Sequence, residues 1–213
     1  MARSSEIVST ELPIHISARC KNREFFPIPI EEVWEIMEDY LFFIAHAFNI
    51  EILSFVLMNN HFHLIVRNPD GNLSAAMNYF MGETSRRINE KAKIINQLYG
   101  SRYHRTVIDS EHYLMHAYKY VYRNPIEAGL SRRAEDYPYS TLSRSLGNGR
   151  FNFPFSPDQI LFNSINLTLQ WINQNPTNEN KQQIKKALKR KRFELPKAMR
   201  NNRKKPSLAT ELY

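Results

Sequence analysis

The sequence predicts an α+β domain, an antiparallel sheet covered by helices, and three observations carry that prediction. Segments with two-residue apolar alternation and segments with helical spacing follow one another as strand, helix, strand, strand, helix, strand, helix. Two of the strand segments, 49–57 and 60–66, meet at the Met58-Asn59-Asn60 corner, as a hairpin does. A chain of 213 residues is long enough to bury a full core as one domain with an appendage.

Each element follows from local pattern. Over 13–20, Ile14, Ile16, Ala18 and Cys20 alternate with His15, Ser17 and Arg19, the signature of a half-buried strand. Ile30 to about Phe48 carries an apolar stripe of Val33, Ile36, Met37, Tyr40, Leu41 and Ile44. Glu31, Glu32, Glu35 and Glu38 lie toward the end of this helix that favours negative charge. The hairpin comes next, and a second helix spans roughly Leu73 to Lys93. A further strand is expected over Arg102–Ile108, and Asp109 or Ser110 caps a helix that starts near Glu111. That helix is expected to end by Asn124, because the residue before Pro125 is pushed away from helical angles. Residues 131–158, rich in Ser, Tyr, Pro and Arg, read as a long ordered loop, and 159–172 as a short helix. A polar linker over 173–180 leads to a basic helix from Lys181 to Arg192, stopped by Pro196. The resulting division is 1–130, 131–172 and a basic tail, 173–213.

Charge is unevenly placed. Of the formal +8, residues 181–205 carry 12 Lys/Arg and one acid, Glu194, or +11; the remainder holds 17 − 20 = −3. A concentrated basic tail suits nucleic acid or another polyanion, the plainer reading being a solubilising tail. A single cysteine, Cys20, excludes an internal disulfide and reads as a buried, inert thiol in a reducing compartment. No window reaches 18 apolar residues and the N-terminus lacks a signal-peptide core, so a soluble cytoplasmic protein with no membrane partner is expected.

The chemistry concentrates at two places. In the strand His61-Phe62-His63 alternation sends both histidines to one face, ~7 Å apart along a backbone rising ~3.3 Å per residue, and sends Phe62 into the core. Two imidazoles so placed can converge on one metal ion, although a lone His-x-His is more often structural. On the helix before Pro125, His116, Tyr120 and Asn124 are spaced four apart and share a stripe. If that stripe faces the histidine strand, Asn124 supplies a third, oxygen ligand and the Tyr120 hydroxyl lies close to the ion. This suits nucleophilic attack on a phosphodiester. A phenol with an ordinary pKa near ~10 needs nearby positive charge or a base, and His116 is a candidate helper. Tyr113, Tyr118 and Tyr122 are rivals on the same helix, of which only Tyr113 shares the stripe. His15, His46, His104 and His112 read as structural or exposed.

Asn60-His61-Phe62-His63-Leu64 together with Tyr120-Val121-Tyr122-Arg123-Asn124-Pro125-Ile126-Glu127-Ala128-Gly129-Leu130 resembles the single-tyrosine HUH transposases of small insertion sequences, most of all the REP-associated tyrosine transposases. The resemblance spans roughly residues 13–130. It implies a ferredoxin-like or RRM-like antiparallel sheet, His61, His63 and Asn124 as ligands of Mg²⁺ or Mn²⁺, and Tyr120 as the nucleophile. It further implies a 5′-phosphotyrosine link to single-stranded DNA with an adjacent hairpin of REP type, a bacterial, nucleoid-associated setting, and a monomer, with a dimer left open. Asn59 stands where a proline is more usual, and His116 where an apolar residue is expected. Covalent storage of the phosphodiester needs no nucleotide cofactor, and the chain has no phosphate-cradling glycine motif.

Arg86, Arg87, Arg102 and Arg105 are candidate backbone contacts, with Lys185, Lys186, Lys189, Arg190, Lys191 and Arg192 in the tail as candidates for a duplex stem. The function expected is metal-dependent, site-specific cleavage and transfer of a DNA strand. The alternative is a non-catalytic hairpin DNA- or RNA-binding protein on the same scaffold.

Overall fold

The computed structural model describes residues 10–195. The N-terminal Met1–Glu6 stretch, Pro196 and the basic positions Lys197, Arg200, Arg203, Lys204 and Lys205 lie outside them. Strands β1 (Ile14–Arg19), β2 (Glu51–Met58), β3 (His61–Arg67) and β4 (His104–Val107) form one antiparallel sheet in the order β2-β3-β1-β4. Helix α1 (Ile30–Ala47) connects β1 to β2, and α2 (Leu73–Ala92) connects β3 to β4. The succession βαββαβ in this strand order is the ferredoxin-like arrangement, as expected.

The sheet is buried on both faces. Ile14, Ile16, Phe55, Phe62 and Leu64 point to the side covered by α1 and α2, where they meet Trp34, Met37 and Phe80. Val56, Met58 and Ile65 point the other way, into a second core built from α3 (Glu111–Glu127) and the chain beyond it. Double coverage explains why β2 reads as a nearly continuous apolar run rather than an alternation.

Helix α3 does not stop at Asn124; it runs through Pro125 to Glu127. Proline removes the N–H that would bond the Val121 carbonyl. The Asn124 side chain supplies a substitute: Nδ2 donates to Val121 O at 3.3 Å and to Tyr120 O at 2.8 Å. The helix closes at Gly129, whose φ of +70° and N–H bond to Ile126 O form a left-handed cap that a side chain would strain.

The region after α3 covers both edges of the sheet. Beyond a 3-10 turn (Ala134–Asp136), Leu57 N donates to Tyr139 O at 3.0 Å and Phe55 N to Thr141 Oγ1 at 3.0 Å, closing the free edge of β2. Short helix α4 (Thr141–Ser145) follows, so 131–158 is an ordered but not wholly loop-like segment. The expected helix over 159–172 is broken into α5 (Gln159–Phe162) and α6 (Ile165–Asn173). The expected basic helix is shifted: α7 spans Asn178–Ala187, with the Thr177 hydroxyl accepting from Asn180 N. Lys191 and Phe193 then leave helix altogether and pair with β4, Val107 N to Lys191 O at 3.0 Å and Phe193 N to Val107 O at 2.8 Å. Pairing an exposed strand edge satisfies more backbone groups than continuing an isolated basic helix would.

Glu38, grouped by sequence with the acids near the start of α1, has a different role. It is buried, ion-paired with Arg144 at 3.1 Å, while the Arg144 guanidinium stacks on Trp34 at 4.6 Å. Burial raises the Glu38 carboxyl above its usual range and Arg144 offsets part of the rise. Removing Arg144 leaves the buried carboxyl without its cation, with Asn152 Nδ2 donating at 3.4 Å, so Arg144→Ala is expected to cost about 3–5 kcal/mol in urea unfolding. Adding Glu38→Gln should recover part of that loss; equal losses in the single and double variants would contradict the pairing.

Candidate active site

Because β3 alternates, His61 and His63 share the face opposite Phe62, with ring centroids 5.1 Å apart. The neighbouring strand β1 brings its polar residues to the same face, Arg19 beside His61 and Ser17 beside His63 in the ladder register. His15 completes the group: its Nε2 is 3.0 Å from His63 Nδ1, and the two rings stack at 5.2 Å. Helix α3 crosses above, and Tyr120 meets His63 edge-on at 5.6 Å and His15 at 6.4 Å.

The other tyrosines of α3 point elsewhere. Tyr118 and Tyr122 are core residues, hydrogen-bonded to Asp158 and Thr141 at 3.3 and 3.1 Å, and Tyr113 packs on Phe193. Tyr120 is the member of the four that meets the histidines.

Between β1, β3, Tyr120 and α7 lies a cleft of about 420 Å³. Arg19, Arg23, Arg102, Lys185 and Lys189 line it together with the three histidines and His104. Its fixed positive charge comes from these cations and not from the His15, His61 and His63 rings. Burial lowers His15 to about 3 and His61 to about 4, and holds His63 well below its ordinary value, with Arg19 adding to the effect at His61 and His63. All three are therefore neutral near pH 7, and one lone pair of the His15–His63 couple is taken up by the hydrogen bond between them. Burial also raises the Tyr120 phenol, an effect that Arg19 partly opposes.

The donor set fits a metal ion in part. His63 Nε2 is buried with no hydrogen-bond partner, and His61 Nδ1 is 2.6 Å from Asn60 Oδ1, which makes Nδ1 the donor and leaves the Nε2 lone pair for a ligand. Among the described residues no group of three His, Cys, Asp or Glu is arranged to hold a metal. Oxygen donors beside two imidazoles would suit a hard divalent cation.

Asn124 and His116 are not in the histidine cleft. They line a second cleft of about 420 Å³ between α3 and α7, with Tyr120 and Lys185 on the rim of both. His116 is buried against His112 and Trp171. Asn124 commits Nδ2 to the backbone, so Oδ1 is the atom it offers outward. Of the expected nucleic-acid contacts, Arg102, Lys185 and Lys189 line the histidine cleft. Arg86 and Arg87 sit on α2, across the sheet, engaged with Glu83 and Glu90. Arg190 pairs with Glu194 and Arg192 with Asp109; Arg105, Lys186 and Lys191 do not line the cleft. Of the histidines read as structural or exposed, His15 is buried and lines this cleft, and Arg19, not singled out from the sequence, lines it as well. Their signal was present in the alternation of β1, which needed only the antiparallel partner strand to become a shared face.

The family of IS200-like transposases matches residues 8–124, more than half of the chain. This chain belongs to that family. Among solved structures, the REP-associated tyrosine transposase bound to a REP hairpin is similar over 74% of this chain and 94% of its own, at 16% identity and a TM-score of 0.56. That likeness concerns the fold. A Deinococcus radiodurans R1 protein assigned as a transposase aligns over 56% of this chain and 95% of its own, at 18% identity and a TM-score of 0.40. No curated protein matches. Among the described residues no helix of this transposase is long and apolar enough to cross a membrane.

The buried histidines set a pH signature for the metal-free transposase. Their folded pKa values lie below the ordinary 6.5, so the unfolded chain binds more protons and stability is lost as pH falls below about 6.5. The urea midpoint should be level from pH 8 to 7 and then drop, by up to about 1.4 kcal/mol per pH unit for each histidine. A midpoint unchanged down to pH 5, above the carboxylate range, would contradict their burial as neutral rings.

Proposed function

We propose that this transposase cuts and rejoins single-stranded DNA by transesterification, with Tyr120 as the nucleophile. The observation that carries the reading is the Tyr120 ring 5.6 Å from His63, at the mouth of a cleft lined by neutral imidazoles and fixed cations. Tyr120 Oη attacks the scissile phosphorus, a 5′-phosphotyrosine bond forms, and the bond to the 3′-oxygen breaks. The phenol proton leaves to a base or solvent, and the departing oxygen takes one up as a 3′-hydroxyl. Attack by a 3′-hydroxyl in the reverse sense restores the phosphodiester and the phenol. One phosphate ester replaces another in each step, so no nucleotide cofactor is required.

His61 and His63 would hold Mg²⁺ or Mn²⁺, with Asn124 Oδ1 proposed as a third ligand. Asn124 lines the neighbouring cleft, which Tyr120 and Lys185 share with the histidine cleft. When bound, such an ion polarises the phosphoryl oxygens and stabilises the charge of the transition state. Arg19, Arg102, Lys185 and Lys189 draw the strand into the cleft by its phosphates. Burial makes the phenol a poorer anion, so Arg19 is the fixed charge that favours its ionisation.

The DNA is proposed to carry a hairpin next to the cleavage point, as the REP hairpin in the similar transposase suggests. In this reading 1–130 is the nuclease, 131–172 an extension that supports it, and 173–213 a tail that grips the stem, in a monomer working at the bacterial nucleoid. Lys186, Arg190, Lys191, Arg192 and Arg105 belong to that wider contact surface, Arg86 and Arg87 to its far side, and His116 to the support of α3.

Labelled single strands flanked by a hairpin, incubated with Mn²⁺, should yield a denaturant-resistant adduct that Tyr120→Phe abolishes and Tyr113→Phe retains. Tight binding without an adduct would favour a hairpin-binding protein instead. Deleting residues 196–213 removes five Lys/Arg. The deletion should weaken hairpin binding and flatten its salt dependence, by about 0.7–0.9 in the log–log slope for each phosphate that the tail neutralises. An unchanged slope would remove the tail from the contact surface.

A further inference from the structure

His15 is a third histidine of the site that cannot be a metal ligand through the nitrogen it presents. Its Nε2 is spent on His63 Nδ1, at 3.0 Å, with both rings almost fully buried. Such a contact needs one donor and one acceptor, so only two arrangements exist for neutral rings. If His15 Nε2–H donates, His63 must carry its own proton on Nε2, and that nitrogen has no lone pair for an ion. If His63 Nδ1–H donates, His63 Nε2 is bare and His15 carries its proton on Nδ1.

We propose that His15 is a positioning residue for the metal pair: it accepts the Nδ1 proton of His63 and thereby fixes the tautomer and ring angle in which His63 Nε2 can ligate a divalent cation. This rests on the reading of His61 and His63 as that pair. Two features support it. His63 Nε2 is a buried nitrogen without a hydrogen-bond partner, the atom a ligated ion would satisfy. His61 is held in the same way, its Nδ1 donating to Asn60 Oδ1 at 2.6 Å, so both rings have an acceptor behind Nδ1 and Nε2 left over. Acceptors behind a ligating imidazole commonly contribute 10–100-fold in metal affinity.

The stacked geometry adds a steric part. His15 lies against His63 with an interplanar angle of 20°, and Tyr120 stands edge-on to both. Swinging the His63 ring would break the hydrogen bond to His15. His15 thus holds the ligand without touching the reacting atoms.

The test is Mn²⁺ binding to the full chain, followed by the EPR signal of the free ion, in the wild type, His15→Leu and His15→Gln. Leu fills the space with no acceptor; the Gln side-chain oxygen can still accept. The expected result is 10–100-fold weaker binding for His15→Leu and recovery to within a few-fold for His15→Gln, at equal helical content by circular dichroism. Wild-type affinity in a folded His15→Leu would overturn the role of His15 while leaving the metal pair standing. Mn²⁺ binding by the wild type that His61→Ala and His63→Ala leave unchanged would overturn the pair itself. Should neither variant fold, ¹⁵N imidazole shifts of the Mg²⁺-loaded wild type decide the matter: a proton on His15 Nδ1 supports the proposal, and one on His15 Nε2 overturns it.

Discussion

The structure depends on the antiparallel pairing of β1 with β3. A strand reverses its facing at every residue, and two paired strands must agree on which face is which. Once Ile14, Ile16 and Ala18 join Phe62, Leu64 and Val66 in the core under α1 and α2, the residues between them have no choice. His15, Ser17 and Arg19 are delivered to the same surface as His61 and His63. A one-residue slip of β3 against β1 would turn His61 and His63 into the apolar layer under α1 and α2 and carry Phe62, Leu64 and Val66 to the face of His15 and Arg19. The apolar core therefore sets the geometry of the site, and the polar residues inherit it.

The opposite face then has to be covered, because Val56, Met58 and Ile65 lie on it beside the histidines. Helix α3 supplies the cover through Tyr118, Val121 and Tyr122, and Tyr120 follows at the edge of the packed stripe. The same cover desolvates the imidazoles and keeps them neutral. Cation charge is left to the arginines and lysines that line the cleft. A cleft built in this way keeps its attraction for phosphate while leaving its imidazole lone pairs unprotonated.

Much of this was legible from sequence. The strands and first two helices and the shared face of His61 and His63 follow from periods of two and four residues, as does the stripe that holds Tyr120 and Asn124. What escaped depended on partners distant in the chain. The burial of His15 is a property of β1 lying beside β3, with His15 and His63 48 positions apart in the chain. The fate of Lys191 and Phe193 was set by the open edge of β4, and that of Glu38 by Arg144. The proline rule failed for a local reason: Asn124 repairs the hydrogen bond that Pro125 deletes.

That repair links the fold to the chemistry. A helix freed of its carbonyl bond at Val121 would fray or kink one residue after Tyr120, and the phenol would lose its fixed approach to His63. Asn124 prevents this with Nδ2 alone, which leaves Oδ1 as the atom turned to the outside. An Asp at this position would present oxygens to the Tyr120 and Val121 carbonyls and repel them. A Leu would leave the Val121 carbonyl unpaired at about 1–3 kcal/mol. The amide is the chemical group that both donates to the backbone and keeps an oxygen in reserve. Its value at this position is thus explained by the helix before any metal is invoked, and its proposed ligation uses the half of the side chain that the helix does not need.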